Sequence, residues 1–332
     1  MKKLDVVNWG IIGAGDVCER KSAPAMNKIP HSRLVAVMRR TASKAEDYAR
    51  RHDVSRWYNN ADELIADPEV NAIYIATPPD SHAEYAVRAA KAGKPVYVEK
   101  PMARTYTECQ RMIEACTAAG VPLFVAYYRR TLPQFLKIKH HIDSGKIGQV
   151  RFVDIRLYQS RHPALMVDPE DNWRVQPEIA GGGYFYDLAS HQLDYLDFLF
   201  GPIREVHGLK HNQAGLYPAS DIVAGSFLFE NGVIGNGLWC FTTSEVARKE
   251  EVTIVGDEGK ISFATFGNPE VHLFTSDGKE MICRLPPPKN IQHLLIEQVV
   301  EALRGERDHV VSTGETAART NWVMEQIKQC KM

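Results

Sequence analysis

The stretch KPVYVEKPMA, residues 94–103, is apolar as far as Val98 and then sets Glu99 and Lys100 directly before Pro101. A lysine ammonium at the end of a buried strand can donate to a developing alkoxide. A proline, lacking an N–H, takes the chain out of the sheet at that point. Near the start, Gly13, Ala14 and Gly15 follow an apolar run and precede a helical pattern that opens with Asp16, Val17 and Cys18. A G-x-G at such a junction lets the backbone approach a pyrophosphate, whose charge is met by N–H groups at the helix start. Where an acidic residue would hold a ribose 2′-hydroxyl, at the end of the next strand, stand Arg39, Arg40, Thr41 and Ser43. Two guanidiniums and two hydroxyls suit a 2′-phosphate instead, so NADP(H) is expected over NAD(H).

Further on, Asp187 and His191 in GGGYFYDLASHQLD are spaced so that they share one helix face, and Asp194 continues the stripe. Read from the residues alone, the stripe is more simply a solvated polar face than a site. An imidazole, with an unperturbed pKa of about 6.5, suits proton transfer near neutrality. Adjacent His140 and His141 diverge by about 100° on a helix, so no metal site is expected.

These residues need elements to position them. Continuous apolar runs at 6–12, 34–38, 72–77, 95–100 and 121–127 read as strands buried on both faces, alternating with amphipathic segments. Ser43 with Glu46, and Thr105 with Glu108, match the capping-box spacing, and Asp80 or Ser81 could cap the helix after 72–77. Gly93 and Gly120 stand at helix C-termini. This alternation predicts a doubly wound parallel sheet over residues 1–127. From about 150 the pattern changes to strand-like runs at 150–159, 204–211, 220–229, 233–242, 250–255, 260–265, 270–275 and 280–285, with a helix near 183–199. Hairpin signals at Asn231-Gly232 and Asp277-Gly278 make this half, 128–332, an α+β domain with a large, mostly antiparallel open sheet. Two helices are expected at the end, near 291–304 and 315–330. Glycines 181 to 183 are expected to bring the backbone close to a ligand.

The 332 residues carry 40 basic and 41 acidic side chains, which leaves no bulk field for nucleic acid or anionic lipid. None of the six cysteines falls in a C-x-x-C pair. The start MKKLDVVNWG has no apolar signal core, and no run of ~18 apolar residues occurs, so a cytoplasmic protein with a small-molecule partner is expected.

With G-x-G at 13–15, T-P-x-x-x-H at Thr77, Pro78 and His82, E-K-P at 99–101 and G-G-x-x-x-D-x-x-x-H ending on Asp187 and His191, the sequence resembles the glucose-fructose oxidoreductase / inositol dehydrogenase / rhizopine-catabolism (Gfo/Idh/MocA) family over nearly its whole length. The resemblance implies a Rossmann domain followed by a substrate-binding and oligomerisation domain. It also implies reversible hydride transfer between a nicotinamide cofactor and a sugar, polyol or related substrate, with Lys100, His191 and Asp187 catalytic. Glu99, Thr77, Pro78 and His82 fall on its cofactor side. Tyr128, Arg129 and Arg130 are implied contacts for cofactor or substrate, and Trp173 and Arg174 for substrate. A homodimer or homotetramer is implied as well. Nicotinamide-dependent glycoside hydrolysis, or a non-enzymatic dinucleotide-binding sensor, are the alternatives.

Overall fold

The computed structural model describes residues 3–160 and 172–329. In chain order the first elements are β1 (Val7–Ile12), α1 (Asp16–Arg20), α2 (Ala23–Met26), β2 (Ser32–Met38), α3 (Ala42–Arg51), β3 (Arg56–Tyr58), α4 (Ala61–Ala66) and β4 (Ala72–Ile75). Next come α5 (His82–Lys91), β5 (Val96–Val98), α6 (Tyr106–Ala118), β6 (Leu123–Val125), α7 (Pro133–Asp143), β7 (Val150–Ser160), α8 (Pro177–Ala180) and α9 (Ser190–Phe200). The rest are β8 (Ile203–His211), β9 (Ile222–Phe229), β10 (Ile234–Thr243), β11 (Lys249–Gly256), β12 (Gly259–Phe263), β13 (Glu270–Thr275), β14 (Glu280–Arg284), α10 (His293–Arg304) and α11 (Gly314–Gln329).

They form two compact units. The first takes Met1–Thr131 and Pro288–Ala318, the second Leu132–Pro287 and Arg319–Met332. Segment 288–318, which the sequence reading groups with the second half, thus belongs with the first unit. Its physical tie is to the edge strand β6. The Val125 N–H donates to the Ser312 carbonyl at 3.3 Å, and the Ser312 hydroxyl donates back to the Val125 carbonyl at 2.8 Å.

The first unit holds a six-stranded parallel sheet in the order β3-β2-β1-β4-β5-β6. Its central strands are apolar on both sides because helices cover both faces, as the continuous runs predict. The last residues of five strands are register partners in turn: Met38 with Ile12, Ile12 with Ile75, Ile75 with Val98, and Val98 with Val125. The loops after them therefore all leave from one edge of the sheet. Strand β3, three residues long and at the sheet's border, has no counterpart among the expected strands.

The capping expectations divide. Thr105 caps α6 by accepting from the Glu108 N–H at 3.1 Å. Helix α3 begins instead at Ala42, with Thr41 in the cap position and no side-chain bond there, so Ser43 lies inside the first turn. Ser81 does not cap α5 either; its hydroxyl turns back to Thr77 Oγ1 at 2.7 Å.

In the second unit an eight-stranded sheet runs β14-β13-β12-β11-β7-β10-β9-β8, antiparallel except for the β7–β10 pair. One face is buried, with Val153, Ile155 and Leu157 of β7 and Trp239 of β10. On the other, Phe152 and Ile234, opposite each other in register, are both exposed. Helix α9 is buried on nearly every side and held at three polar points. Trp239 Nε1 donates to Gln192 Oε1 at 2.7 Å, and the Tyr195 hydroxyl donates to the Phe135 carbonyl at 2.7 Å. Arg319 forks onto Asp197 at 2.6 and 2.8 Å.

Candidate active site

The glycine loop begins where β1 ends. Gly13 has φ +89°, and its N–H and that of Ala14 both donate to the Met38 carbonyl, at 3.0 and 3.3 Å. A Cβ on Gly13 would stand 2.6 Å from Thr77 Cγ2 and 2.9 Å from the Thr77 nitrogen. A Cβ on Gly15 would meet nothing nearer than 3.8 Å, and Gly15 has an ordinary extended backbone with φ −107°. The first glycine is thus required by the protein's own packing, whereas the second leaves space outside the chain through which a phosphate can approach the backbone. Asp16 and Val17 head α1, and Cys18 behind them is fully buried, its thiol pushed up to about 12 mainly by that burial. It is a packing residue at the third fingerprint position.

This division predicts opposite phenotypes. Gly13→Ala should lower stability by roughly 2–4 kcal/mol, from a strained backbone and an overpacked contact together. Gly15→Ala should melt within ~2 °C of the parent yet bind the dinucleotide ~10-fold or more weakly. Thermal melts and cofactor titrations of the two variants check this.

At the end of β2, Arg39 is half-buried, and Arg40, Thr41 and Ser43 are exposed. Among the described residues neither arginine makes an ion pair; on α1 and α3, Glu19 and Asp47 both bind Arg51 instead. At the end of β4, Thr77 and Pro78 are half-buried on the same sheet edge. His82 stands behind them, fully buried, with Nε2 2.7 Å from the Thr77 carbonyl and Nδ1 3.2 Å from the Met102 carbonyl. Burial holds its pKa below the usual histidine value. His82 therefore ties the loop after β4 to the loop after β5 rather than presenting its ring to a ligand.

Glu99 still belongs to the sheet through its N–H, which donates to the Ile75 carbonyl at 2.9 Å. Its carboxylate turns inward: Oε1 accepts from the Tyr74 hydroxyl and from Gln292 Nε2, both at 2.6 Å, and Oε2 accepts from the Lys100 N–H at 3.2 Å. Lys100 itself is half-buried, and the Lys100–Pro101 peptide is cis. Beyond β6, Tyr128, Arg129 and Arg130 form a short 3₁₀ turn and are all buried. Arg129 lies over the Tyr128 ring at 5.1 Å, and Arg130 Nη1 donates to the Val311 carbonyl at 2.9 Å.

The second unit gathers the other set. Residues 185–189 form a single π-helical turn, Phe185–Ala189, that runs into α9, so Asp187 lies in the π turn and His191 in the first turn of the helix. Such turns recur at functional sites. The alternative of a solvated face does not hold for these two positions: His191 is 3 % and Asp194 1 % exposed. The His191 ring meets Phe266 edge-on at 5.8 Å. Arg174 Nε lies 3.4 Å from Asp187 Oδ2 and its guanidinium stacks on the Trp173 ring at 4.5 Å, so Trp173, Arg174 and Asp187 form one cluster. Of the glycines before the turn, Gly182 and Gly183 are required by packing. A Cβ on Gly182 would meet the Tyr186 ring at 2.2 Å, and one on Gly183 would meet Ala219 Cβ at 2.4 Å.

Sequence reasoning missed Tyr74, Tyr97 and Gln292. Among the described residues no cluster of three or more His, Cys, Asp or Glu could hold a metal ion, and no helix is long and apolar enough to cross a membrane.

Residues 7–127 match the oxidoreductase family with an NAD-binding Rossmann fold, and residues 135–262 match the GFO/IDH/MocA C-terminal domain. The chain is 41 % identical over 317 residues to an oxidoreductase of Formosa agariphila, covering 95 % of this chain and 96 % of that one. It is 28 % identical to the NADP(+)-dependent scyllo-inositol 2-dehydrogenase of Bacillus subtilis, over 98 % and 97 % of the two chains. Curated relatives include NAD(+)- as well as NADP(+)-dependent enzymes. The aldose-aldose oxidoreductase of Caulobacter crescentus superposes with a TM-score of 0.86 at 25 % identity, covering 98 % of this chain and 97 % of that one. Both halves of the chain, each with its own sheet and its own matching model, belong to the GFO/IDH/MocA family of oxidoreductases, with an NAD(P)-binding Rossmann fold in the first.

Proposed function

We propose that the protein oxidises a carbinol carbon of a sugar, polyol or related compound, or reduces the matching carbonyl, with NADP(H) as its preferred cofactor. The observation that carries the reading is the sheet edge in the first unit, where Gly15 leaves room for a phosphate and Lys100 stands at the end of β5. When bound, the nicotinamide takes or supplies the hydride. In the oxidative direction His191 accepts the hydroxyl proton and Lys100 donates a hydrogen bond to the developing alkoxide. Asp187, paired with Arg174, orients His191 or a neighbouring substrate hydroxyl, and Trp173 supplies an aromatic wall. Glu99, Thr77, Pro78, Ala14, Asp16 and Val17 shape the cofactor side, and His82 positions it.

NADP(H) is favoured because Arg39 and Arg40 make no ion pair among the described residues and because α3, ten residues long, starts at Ala42 with no side-chain cap from Thr41. Its first N–H groups and the Ser43 hydroxyl can meet a 2′-phosphate. Arg39→Ala should weaken NADPH binding ~10-fold or more while sparing NADH, since a charge-assisted contact is worth about 1.5–3 kcal/mol. Titration of both cofactors decides it, and tighter NADH binding by the parent protein would reverse the assignment. The exposed Phe152, Ile234 and Leu238 on the open sheet face support a homodimer or homotetramer. A panel of polyols, aldoses and oxo-sugars, followed at the NADPH absorbance, tests the activity; no turnover of any member would overturn it.

A further inference from the structure

The buried carboxylate of Glu99 is held by Tyr74 and Gln292, and Tyr97 in turn holds Gln292. Tyr74 comes from β4, and Tyr97 from β5. Gln292 precedes α10 and is fully buried, nearly two hundred residues along the chain from Glu99. The amide is used at both ends: Nε2 donates to Glu99 at 2.6 Å, and Oε1 accepts from the Tyr97 hydroxyl at 2.9 Å. With the tyrosine hydroxyl satisfied by the amide oxygen, the amide can only present its NH2 to the carboxylate. Tyr74 and Tyr97 stack at 5.1 Å, which fixes both hydroxyls. The remaining Glu99 oxygen accepts from the N–H of Lys100.

We propose that Gln292 is a positioning residue for Lys100: through its amide and the Glu99 carboxylate it fixes the backbone from which the Lys100 side chain departs. This rests on the catalytic reading of Lys100 given above. The chain of contacts is Tyr97 hydroxyl, Gln292 amide, Glu99 carboxylate, Lys100 N–H. Both donors to Glu99 Oε1 are dependable. An amide does not titrate, and burial together with Glu99 holds the Tyr74 hydroxyl well above the usual tyrosine range, so it remains a donor. The return of segment 288–318 to the first unit thus does more than extend that unit: it delivers a neutral donor that reaches Glu99 from outside the strands.

Gln292→Glu tests this, because it keeps the side chain's size and an oxygen for Tyr97 but replaces the donor facing Glu99 with a second carboxyl. Other titratable groups facing Glu99 are Cys18 from α1, Tyr74, Tyr97 and His82 from α5, and all four are present in both proteins. With the best substrate of the polyol and aldose panel, kcat at pH 8 should fall ~10-fold or more while the cofactor Kd stays within ~3-fold. The ratio of variant to parent kcat should rise as pH falls, since two adjacent carboxyls come to share a proton that restores a donor. Should this variant not fold, Tyr74→Phe removes the other donor to the same oxygen and keeps the stacked ring; kcat should again fall with cofactor affinity held. Parent-like kcat at every pH in a folded variant would overturn the proposal. So would a loss confined to melting temperature or cofactor affinity, which would make the network structural. Lys100→Met measured alongside separates the two readings: an inactive Lys100→Met beside a fully active Gln292→Glu overturns only the role of Gln292, whereas an active Lys100→Met overturns the role of Lys100 beneath it.

Discussion

Lys100→Met is expected to lose ~100-fold or more in turnover while binding the nicotinamide cofactor within ~3-fold of the parent. Methionine keeps most of the lysine stem's volume and removes only the ammonium, so packing at the end of β5 is retained. The backbone bond that ties residue 100 to Glu99 does not involve the side chain and survives the change. The glycine loop and the arginines after β2 lie on other strands and keep their own hydrogen bonds, so the dinucleotide should still bind. On the proposed role of Lys100, what disappears is the donor to an oxygen that gains charge as the hydride leaves. That loss acts on the transition state more than on the ground state, so it should appear in kcat rather than in cofactor affinity. Single-turnover rates with the best panel substrate, beside a fluorescence titration of NADPH, provide the check. A variant that turns over at near the parent rate would make Lys100 a structural residue of the strand end.

How much of this site could be read in advance varies residue by residue. Strands β1, β2, β4, β5 and β6 are legible because burial on both faces demands unbroken apolar runs, and no amphipathic segment imitates that. Edge strand β3 is not, since three partly exposed residues carry no period. Thr105 is readable as a cap, but the same spacing at Ser43 misplaces the cap position by two residues: Thr41 takes it, without a side-chain bond. The facing expected of Asp187 and His191 assumes α-helical spacing, whereas the π turn that holds Asp187 leaves no mark in the sequence, and the burial of His191 depends on the packing around α9. His82 sits in the expected motif but works from behind it, which only its two carbonyl partners reveal. Gln292 was beyond reach of any local pattern. Its partner Glu99 lies on another strand end, and the contact depends on which sheet the tail returns to.

His191→Asn addresses the proton rather than the hydride. An imidazole accepts a proton only when neutral, so if His191 is the acceptor in oxidation, the rate at limiting substrate should fall at low pH along a limb to which His191 contributes. Asparagine approximates the ring's hydrogen-bonding reach but does not titrate in this range, so the variant should lose that limb. Its turnover should drop ~100-fold or more, within the range that general-base catalysis commonly contributes. Cofactor binding should change little, because His191 belongs to the second unit while the glycine loop and Arg39 belong to the first. The edge-on ring contact with Phe266 is lost, but the anchoring of α9 by Gln192, Tyr195 and Asp197 uses other atoms, so the helix should remain in place and the melting temperature should fall only modestly. Asp187→Asn gives the companion measurement: it keeps shape and removes the charge paired with Arg174, and it should weaken turnover while leaving the acid limb present. A preserved acid limb in His191→Asn, with activity intact, would return this histidine to the role of a packed helix residue and leave Lys100 as the group that handles the proton.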